Sequence, residues 1–464
     1  MWLQSGRRDA LSSGRVTRMI VMSLVLGVLP FAGTALLQGG FVAHDPGVRG
    51  GGAAAGGPLP GLTAQQINYF SAGQDQFSEV QSVTGTIAGE GGGGLGPRFN
   101  SNSCGSCHAQ PALGGSSPST NPQVAVATVD GATNAVPFFI TLDGPVREAR
   151  FKYKAYGKRD GGVHALFTIA GRTDAPGCSI TQPDFDAAAA LNNLSLRIPT
   201  PVFGAGLIEA IPDAAIIANQ KSNLAAKLLV GISGRANRSD NDGTVTRVGW
   251  KAQNKSLQIF AAEAYNVEMG VTNELFGNER DETPGCLFNG IPEDYTDVDA
   301  TDTEEVVSDT EKFALYTRFL APPAPAPDTP SIVNGRALFG TIGCALCHTP
   351  ALTTKMSSNP ALSSKAANLY SDLLVHHMGP NLADDIIQGQ AGPDDFRTAP
   401  LWGLGQRIFF LHDGRTNDLL QAIEAHASAG NFRFPSSEAN TVIAIFNHLS
   451  ENQKQDILNF LRAL

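Results

Sequence analysis

At 464 residues, 42% of them hydrophobic and 16% charged, the chain is long enough for two or three cored domains and too apolar for a disordered one. Its net charge of −10 argues against nucleic acid as a partner and suits a small basic redox protein instead. With 51 glycines and 28 prolines, long irregular connections are expected.

Residues 1–35 read as an export signal: Arg7, Arg8, Arg15 and Arg18 precede an apolar run from Met19 to Phe31, and the small Gly33 and Ala35 offer a cleavage site. The apolar stretch reaches Leu37, so an uncleaved membrane anchor at the N-terminus is the alternative. Both readings place the body of the protein outside the cytoplasm, in the periplasm. Residues 36–61, rich in Gly, Ala and Pro, are expected to form a flexible linker. Thr63 and Gln66 make a capping box that opens a helix through Ile67, Phe70 and Phe77.

A glycine-rich loop then leads into Cys104-Gly105-Ser106-Cys107-His108. Two cysteines three apart with a histidine directly after them are the attachment signature of c-type haem. On one helical turn both thiols face the same way and can add across the porphyrin vinyl groups, and the histidine falls beneath the iron as axial ligand. The pattern recurs at Cys344-Ala345-Leu346-Cys347-His348. A zinc ribbon wants its two cysteine pairs close together, and a thioredoxin-like site has no use for the histidine. The sequence therefore predicts two covalently attached haems c. Cys178 and Cys286 remain, as a disulfide suited to an oxidising compartment or as two free thiols.

Beyond the first motif, alternating segments at 124–129, 138–142 and 164–169 predict strands, a β-containing insertion. The run from Arg197 to Glu209 carries Pro199 and Pro201, which predicts an extended loop entering a helix near Leu207. The acidic run from Glu293 to Glu311 reads as a solvated surface loop, with a structural calcium ion as the alternative. The proline-rich stretch 321–330 predicts a stiff linker between an N-terminal haem domain, 62–320, and a C-terminal cytochrome c-like haem domain, 331–464. In the latter, Ser331 is expected to cap a helix through Phe339. A second helix, from Thr416, puts Leu419, Ile423 and His426 on one face. Ser450 and Gln453 cap a closing amphipathic helix. The fold class is mainly α: two cytochrome c-like haem domains, the first with the β-containing insertion and long irregular loops.

The sixth iron ligand decides the chemistry, since a filled position carries electrons and an open one binds peroxide or dioxygen. With His108 and His348 as fifth ligands, His426 is the candidate sixth ligand of the second haem, and Met378 and His377 compete with it. For the first haem there is no strong candidate; His164 sits in a strand-like run. Glu209 is a candidate distal acid that would move a proton between peroxide oxygens, with Phe203 as an apolar wall. The bland readings are a solvent-facing carboxylate and a core phenylalanine. Trp250 and Trp402 are candidate electron relays or plain core. Arg98, Arg397 and Arg415 are candidates to pair with haem propionates.

Taken together, Gly94 to His108, Arg197 to Asp213, Gly231 to Arg235, Gly249 to Ala252, Met378 to Asp384, Phe396 to Gly403 and His412 to Arg415 resemble the di-haem c-type oxidoreductase family. That family is related to bacterial di-haem cytochrome c peroxidases, the methylamine-utilisation di-haem enzyme and rubber oxygenases. The resemblance implies two haem-bearing domains with the haems at their interface. In the peroxidases a methionine after the His-Asp-Gly segment ligates the electron-transfer haem; His426 stands near that place here, as a histidine does in the rubber oxygenases. The expected function is a peroxidase-like oxidoreductase that takes electrons from a small redox protein and reacts with peroxide or dioxygen. The alternatives are a pure electron carrier with both haems six-coordinate and a di-haem oxygenase acting on an apolar substrate.

Overall fold

Thr63 and Gln66 open the first helix as their spacing requires. The Thr63 hydroxyl accepts the Gln66 N–H, the Gln66 carboxamide accepts the Thr63 N–H, and α1 runs Ala64–Ser78 with Phe70, Gly73 and Phe77 buried. The structure, a computed structural model, describes residues 40–165, 167–278 and 283–464. The expected signal or anchor lies outside the described residues. Val42–Leu464 form one compact unit, mostly helical, with four small sheets among the described residues.

After α1 come β1 (Arg98–Phe99), the single turn α2 (Cys104–Cys107), α3 (Gln123–Val129), β2 (Glu148–Phe151), β3 (Val163–His164), β4 (Phe167–Thr168), α4 (Phe185–Ala190) and β5 (Leu194–Arg197). β2 is the middle of an antiparallel sheet ordered β3-β2-β5, with Glu148 opposite Arg197, and β1 pairs with β4. The helices α5 (Ala205–Ala210), α6 (Asp213–Lys221), α7 (Leu224–Val230), α8 (Leu257–Met269), α9 (Thr303–Val306) and α10 (Asp309–Phe319) follow. α1 and α10 pack so closely that a Cβ at Gly73 would lie 2.3 Å from the Lys312 carbonyl. The N-terminal core gathers Phe70, Phe77, Phe313 and Tyr316 from these two helices with Tyr265 and Met269 of α8. A Cys178–Cys286 disulfide closes its edge.

The C-terminal part contains α11 (Pro330–Thr341), β6 (Leu352–Thr353), β7 (Ala366–Ala367), β8 (Val375–His377), α12 (Gly379–Leu382), β9 (Asp395–Arg397), α13 (Leu419–Glu424), α14 (Asn440–Asn447) and α15 (Glu451–Ala463). α15 opens on the expected Ser450–Gln453 capping box and packs on α11 through Gly335, whose Cβ would meet the Asp456 carbonyl at 1.9 Å. β8 and β9 pair antiparallel, with His377 opposite Asp395.

Several expectations on local structure are corrected. The segment 124–129 is the helix α3, not a strand: its start is held by the Asn121 carboxamide, which accepts the Gln123 N–H at 2.9 Å. Six residues of Ala, Val and Thr do not separate the two periods by pattern alone. Residues 138–142 form turns, closed by Ile140 N–H to the Pro137 carbonyl at 3.0 Å. The segment 164–169 is split between β3 and β4, which belong to different sheets. Thr329, not Ser331, caps α11, because Pro330 takes the first helical position, where its missing N–H has no cost; Ser331 instead donates to Asp456 at 2.5 Å. α13 starts only at Leu419, capped by Asp418, and His426 lies just past its end.

The glycine-rich N-terminal stretch is packed along the C-terminal part. Ala43 N–H donates to Glu451 at 2.8 Å, Asp45 forms a two-pronged pair with Arg462 at 2.6 and 2.7 Å, and Arg49 N–H donates to the Gly405 carbonyl at 2.7 Å. The Pro-rich stretch runs extended beside it, tied by Ala324 N–H to the Ala54 carbonyl at 2.9 Å. In the acidic run, carboxylates serve as caps: Asp294 accepts the N–H groups of Asp309 and Thr310, and Asp302 accepts that of Glu304. Among the described residues, no metal-ligand cluster falls in that run, and no helix is long and apolar enough to cross a membrane.

Candidate functional site

The two CxxCH turns have the same construction. On α2 the Cys104 carbonyl accepts His108 N–H at 3.1 Å, and in the tighter turn at Cys344–Leu346 the Cys344 carbonyl accepts His348 N–H at 2.9 Å. Each imidazole is oriented by a backbone carbonyl at Nδ1, Gly115 for His108 at 2.9 Å and Tyr370 for His348 at 3.0 Å. That bond fixes the tautomer and leaves the Nε2 lone pair free for a metal. Burial pushes Cys104 and Cys344 up to about 12 and Cys107 up to about 11, so these are neutral thiols, not thiolates built to hold zinc.

Each turn opens into its own cavity. The first lies between α2, β2, α8 and the stretch after β5. The second lies between α11, α13, α14 and the segment from Phe396 to His412. Trp250 lines both, its indole N–H donating to the Ile198 carbonyl at 3.0 Å.

The second cavity is strongly apolar and holds four histidines: His348, His376, His412 and His426. His426 repeats the proximal signature, its Nδ1 on the Ala422 carbonyl at 2.8 Å and its Nε2 left free. His348 is held down to about 4, first by burial and then by repulsion from His426, which places the two rings within electrostatic reach. His376 is clamped between Glu438 at 2.7 Å and Asp372 at 3.0 Å. Met378 also lines this cavity, whereas His377 turns away to Asp394 and Asp395. Arg397 and Arg407 line it too, and both are buried. Burial, and for Arg397 also repulsion from Arg407, brings each down to about 10.

The first cavity holds one histidine, His108, and a charged cluster: Glu148, Arg150, Arg197, Glu263 and Glu268. Burial pushes the Glu268 carboxyl well above its usual range, and the neighbouring Glu148 adds to the push. For Glu148 burial acts in the same sense but loses to Arg150, which donates to it at 2.5 Å, so Glu148 is the ionised partner. Asn100 donates to Glu268 at 2.7 Å and fixes its orientation. The two carboxyl groups thus compete to ionise, and Glu268 is the one pushed toward its protonated form. Cross-strand register explains part of it, since β2 and β5 set Glu148 opposite Arg197.

The remaining candidates fall elsewhere. Glu209 accepts the Leu257 N–H and pairs with Arg318, both at 2.8 Å, so it caps α8 and faces neither cavity. Phe203 is core, 2% exposed, and lines neither cavity. His164 stacks on Phe151 at 3.9 Å and bonds Asp160. Arg98 reaches the Thr181 carbonyl, and Arg415 pairs with Asp413 at the surface. Trp402 packs over Gly204, where a Cβ would strike its ring at 2.5 Å. Sequence reasoning missed Glu148, Glu268, Arg197 and Arg407. Arg407 carried no signal beyond its charge, and the two glutamates meet only through tertiary packing of β2 against α8.

A haem fits both cavities on their own chemistry. A buried guanidinium without a carboxylate is costly, and Arg397 and Arg407 have backbone partners at most in place of one. In the first cavity, Arg197 is 2% exposed and its Nε has no hydrogen-bond acceptor. Propionates would supply the missing anion in the second cavity; in the first, Arg197 already pairs with buried Asp384 at 2.6 Å, and a propionate would give its Nε an acceptor.

Residues 164–464 match the family model described as "Di-haem oxidoreductase, putative peroxidase". The chain belongs to this family. No curated protein sequence matches the di-haem oxidoreductase at a significant level. Among solved structures it is similar to hydrazine synthase of Kuenenia stuttgartiensis, at 13% identity over 98% of this chain and 100% of that one, with a TM-score of 0.35. A MauG-like protein associated with microbial copper homeostasis matches at 16% identity over 57% of this chain and 90% of that one, with a TM-score of 0.29. The diheme peroxidase BthA of Burkholderia thailandensis matches at 13% identity over 57% and 86%, with a TM-score of 0.28. Membership rests on the family match, and the roles of residues in this di-haem oxidoreductase rest on its own geometry.

Proposed function

We propose that the protein is an exported, peroxidase-like oxidoreductase carrying two haems c, with the second cavity storing electrons and the first meeting the oxidant. One observation carries the reading: the second cavity is lined by two histidines within electrostatic reach of each other, His348 and His426, and the first by one histidine, His108, and the carboxyl pair Glu148 and Glu268. The cofactors, when bound through Cys104, Cys107, Cys344 and Cys347, supply one-electron iron couples and, at an open axial position, a place for peroxide to bind.

In this reading His348 and His426 would hold the iron of the second haem, and Arg397 and Arg407 would pair with its propionates. Hydrogen peroxide reduction to water consumes two electrons and two protons. Glu268, protonated in the resting protein, donates a proton to the departing oxygen, and Glu148, kept ionised by Arg150, takes up its replacement. Trp250, at the wall shared by the cavities, carries electrons from the second site to the first. A small, basic redox protein supplies them, attracted by the acidic surface.

The test is EPR of the ferric holoprotein with a peroxide titration. One low-spin and one high-spin iron are expected, with only the high-spin signal responding to peroxide or cyanide. Two low-spin signals indifferent to both would make the protein an electron carrier instead. Oxygen uptake with an unsaturated hydrocarbon would make it an oxygenase.

A further inference from the structure

We propose that His377, Asp394 and Asp395 form a binding site for one divalent transition-metal ion of the zinc class, separate from both haem cavities. The residues come together through the register of β8 and β9, which sets His377 opposite Asp395, with Asp394 one position earlier. Their ligand atoms already converge. His377 Nδ1 lies 3.1 Å from Asp394 Oδ2 and 3.1 Å from Asp395 Oδ1. Ligand atoms about 2.0–2.1 Å from a tetrahedral zinc ion sit about 3.3 Å apart, so little movement is needed.

Hydrogen bonds alone do not satisfy the cluster. Arg235, which can only donate, reaches His377 Nε2 at 2.7 Å and also contacts Asp395 Oδ2. Nε2 must therefore accept, the ring is neutral, and its single proton is on Nδ1. That proton goes to Asp394. Asp395 is 1% exposed, and its Oδ1 is left buried with no hydrogen bond, a costly state for a carboxylate oxygen. A metal ion in place of the Nδ1 proton engages all three atoms at once. The proton moves to Nε2, and Arg235, whose side chain is 40% exposed, swings off the ring while keeping Asp395 Oδ2. One imidazole nitrogen and two carboxylate oxygens suit zinc, or a neighbour in the first transition row, better than calcium. His377 is half-exposed, which leaves an entry path and room for water as a fourth ligand.

The position gives the ion a consequence. Met378 follows His377, and Phe396 and Arg397 follow Asp395; all three line the second cavity. An ion there staples β8 to β9 directly behind that wall.

The experiment is zinc chloride titration of untagged holoprotein by calorimetry, with zinc-edge X-ray absorption on the loaded sample. One tight site per chain is expected, with nitrogen and oxygen neighbours only. Affinity should fall at least 100-fold in His377→Ala and in Asp395→Asn, and rise in Arg235→Ala, which removes the competing donor. Haem absorption and circular dichroism establish that the variants fold. The proposal is overturned if no stoichiometric site appears, if the edge shows sulfur, or if affinity is unchanged in both ligand variants. Loss in the ligand variants without tightening in Arg235→Ala would overturn the proton exchange described here.

Discussion

The two cavities begin from the same five-residue turn and end in opposite chemistry. Both hold a histidine by a backbone carbonyl at Nδ1, and both border Trp250. What differs is the element on the far wall. α13 ends just before His426 and presents an imidazole, whereas β2 and α8 present Glu148 and Glu268. The CxxCH turn is thus a common base, and in the proposed function the residues around it would decide whether a bound iron is closed off or given an acid.

The sharpest way to break the comparison is Glu268→Gln. If the pair donates the proton, peroxide turnover should fall by about 10²–10⁴ in kcat, with the ferric spectra of both sites unchanged. Stopped-flow peroxide kinetics would show it. Next in size is His426→Ala, which should turn the second site's low-spin signal into a high-spin one and remove the spectroscopic difference between the sites. Steady-state turnover should drop by about tenfold or more, since an opened storage site no longer holds its electrons at the same potential. If the spectrum of His426→Ala stays low-spin, Met378 or another residue is the ligand. Smaller still is Arg407→Ala. A charge-assisted bond to a propionate contributes about 1.5–3 kcal/mol, so the second cofactor's potential should shift while the first stays put. Redox titration of each signal separates the two.

Much of this arrangement was legible in the sequence, for a physical reason. The CxxCH turns, the two capping boxes and the proline-rich stretch are local signals, in which residues a few positions apart determine the structure between them. His426 was singled out because an apolar helical face announced its neighbours, and the structure places it in the lining of the second cavity, just past a helix shorter than its pattern. The acid pair was not legible. Glu148 and Glu268 are far apart in the chain, and the one local partner, Arg150 beside Glu148, does not point to Glu268. Glu209 drew attention because it follows a conspicuous Pro-Gly stretch, and the structure puts it to work as a cap for α8. Arg407 was overlooked for the same reason as the glutamates: its significance is the carboxylate it lacks, and only packing shows that.

The smallest expected effect is a difference in how the two cavities respond to pH. His412, in the second cavity, is held down to about 4 by burial, against the pull of Asp413 and Asp384. An unfolded histidine binds its proton near pH 6.5, so between about 6.5 and 4 the unfolded state binds more protons and stability falls as pH falls. Glu268 works in the other sense. Its folded pKa lies above the unfolded carboxylate value, so its contribution is complete at low pH and is lost as pH rises through the raised pKa. Both effects are measurable by denaturant titration of the holoprotein across pH. His412→Gln should flatten the acid side of the curve and leave the alkaline side alone, and Glu268→Gln should do the reverse. If either variant flattens both sides, the cavities are coupled in their protonation as well as through Trp250, and the division of labour between them is less complete than their walls imply.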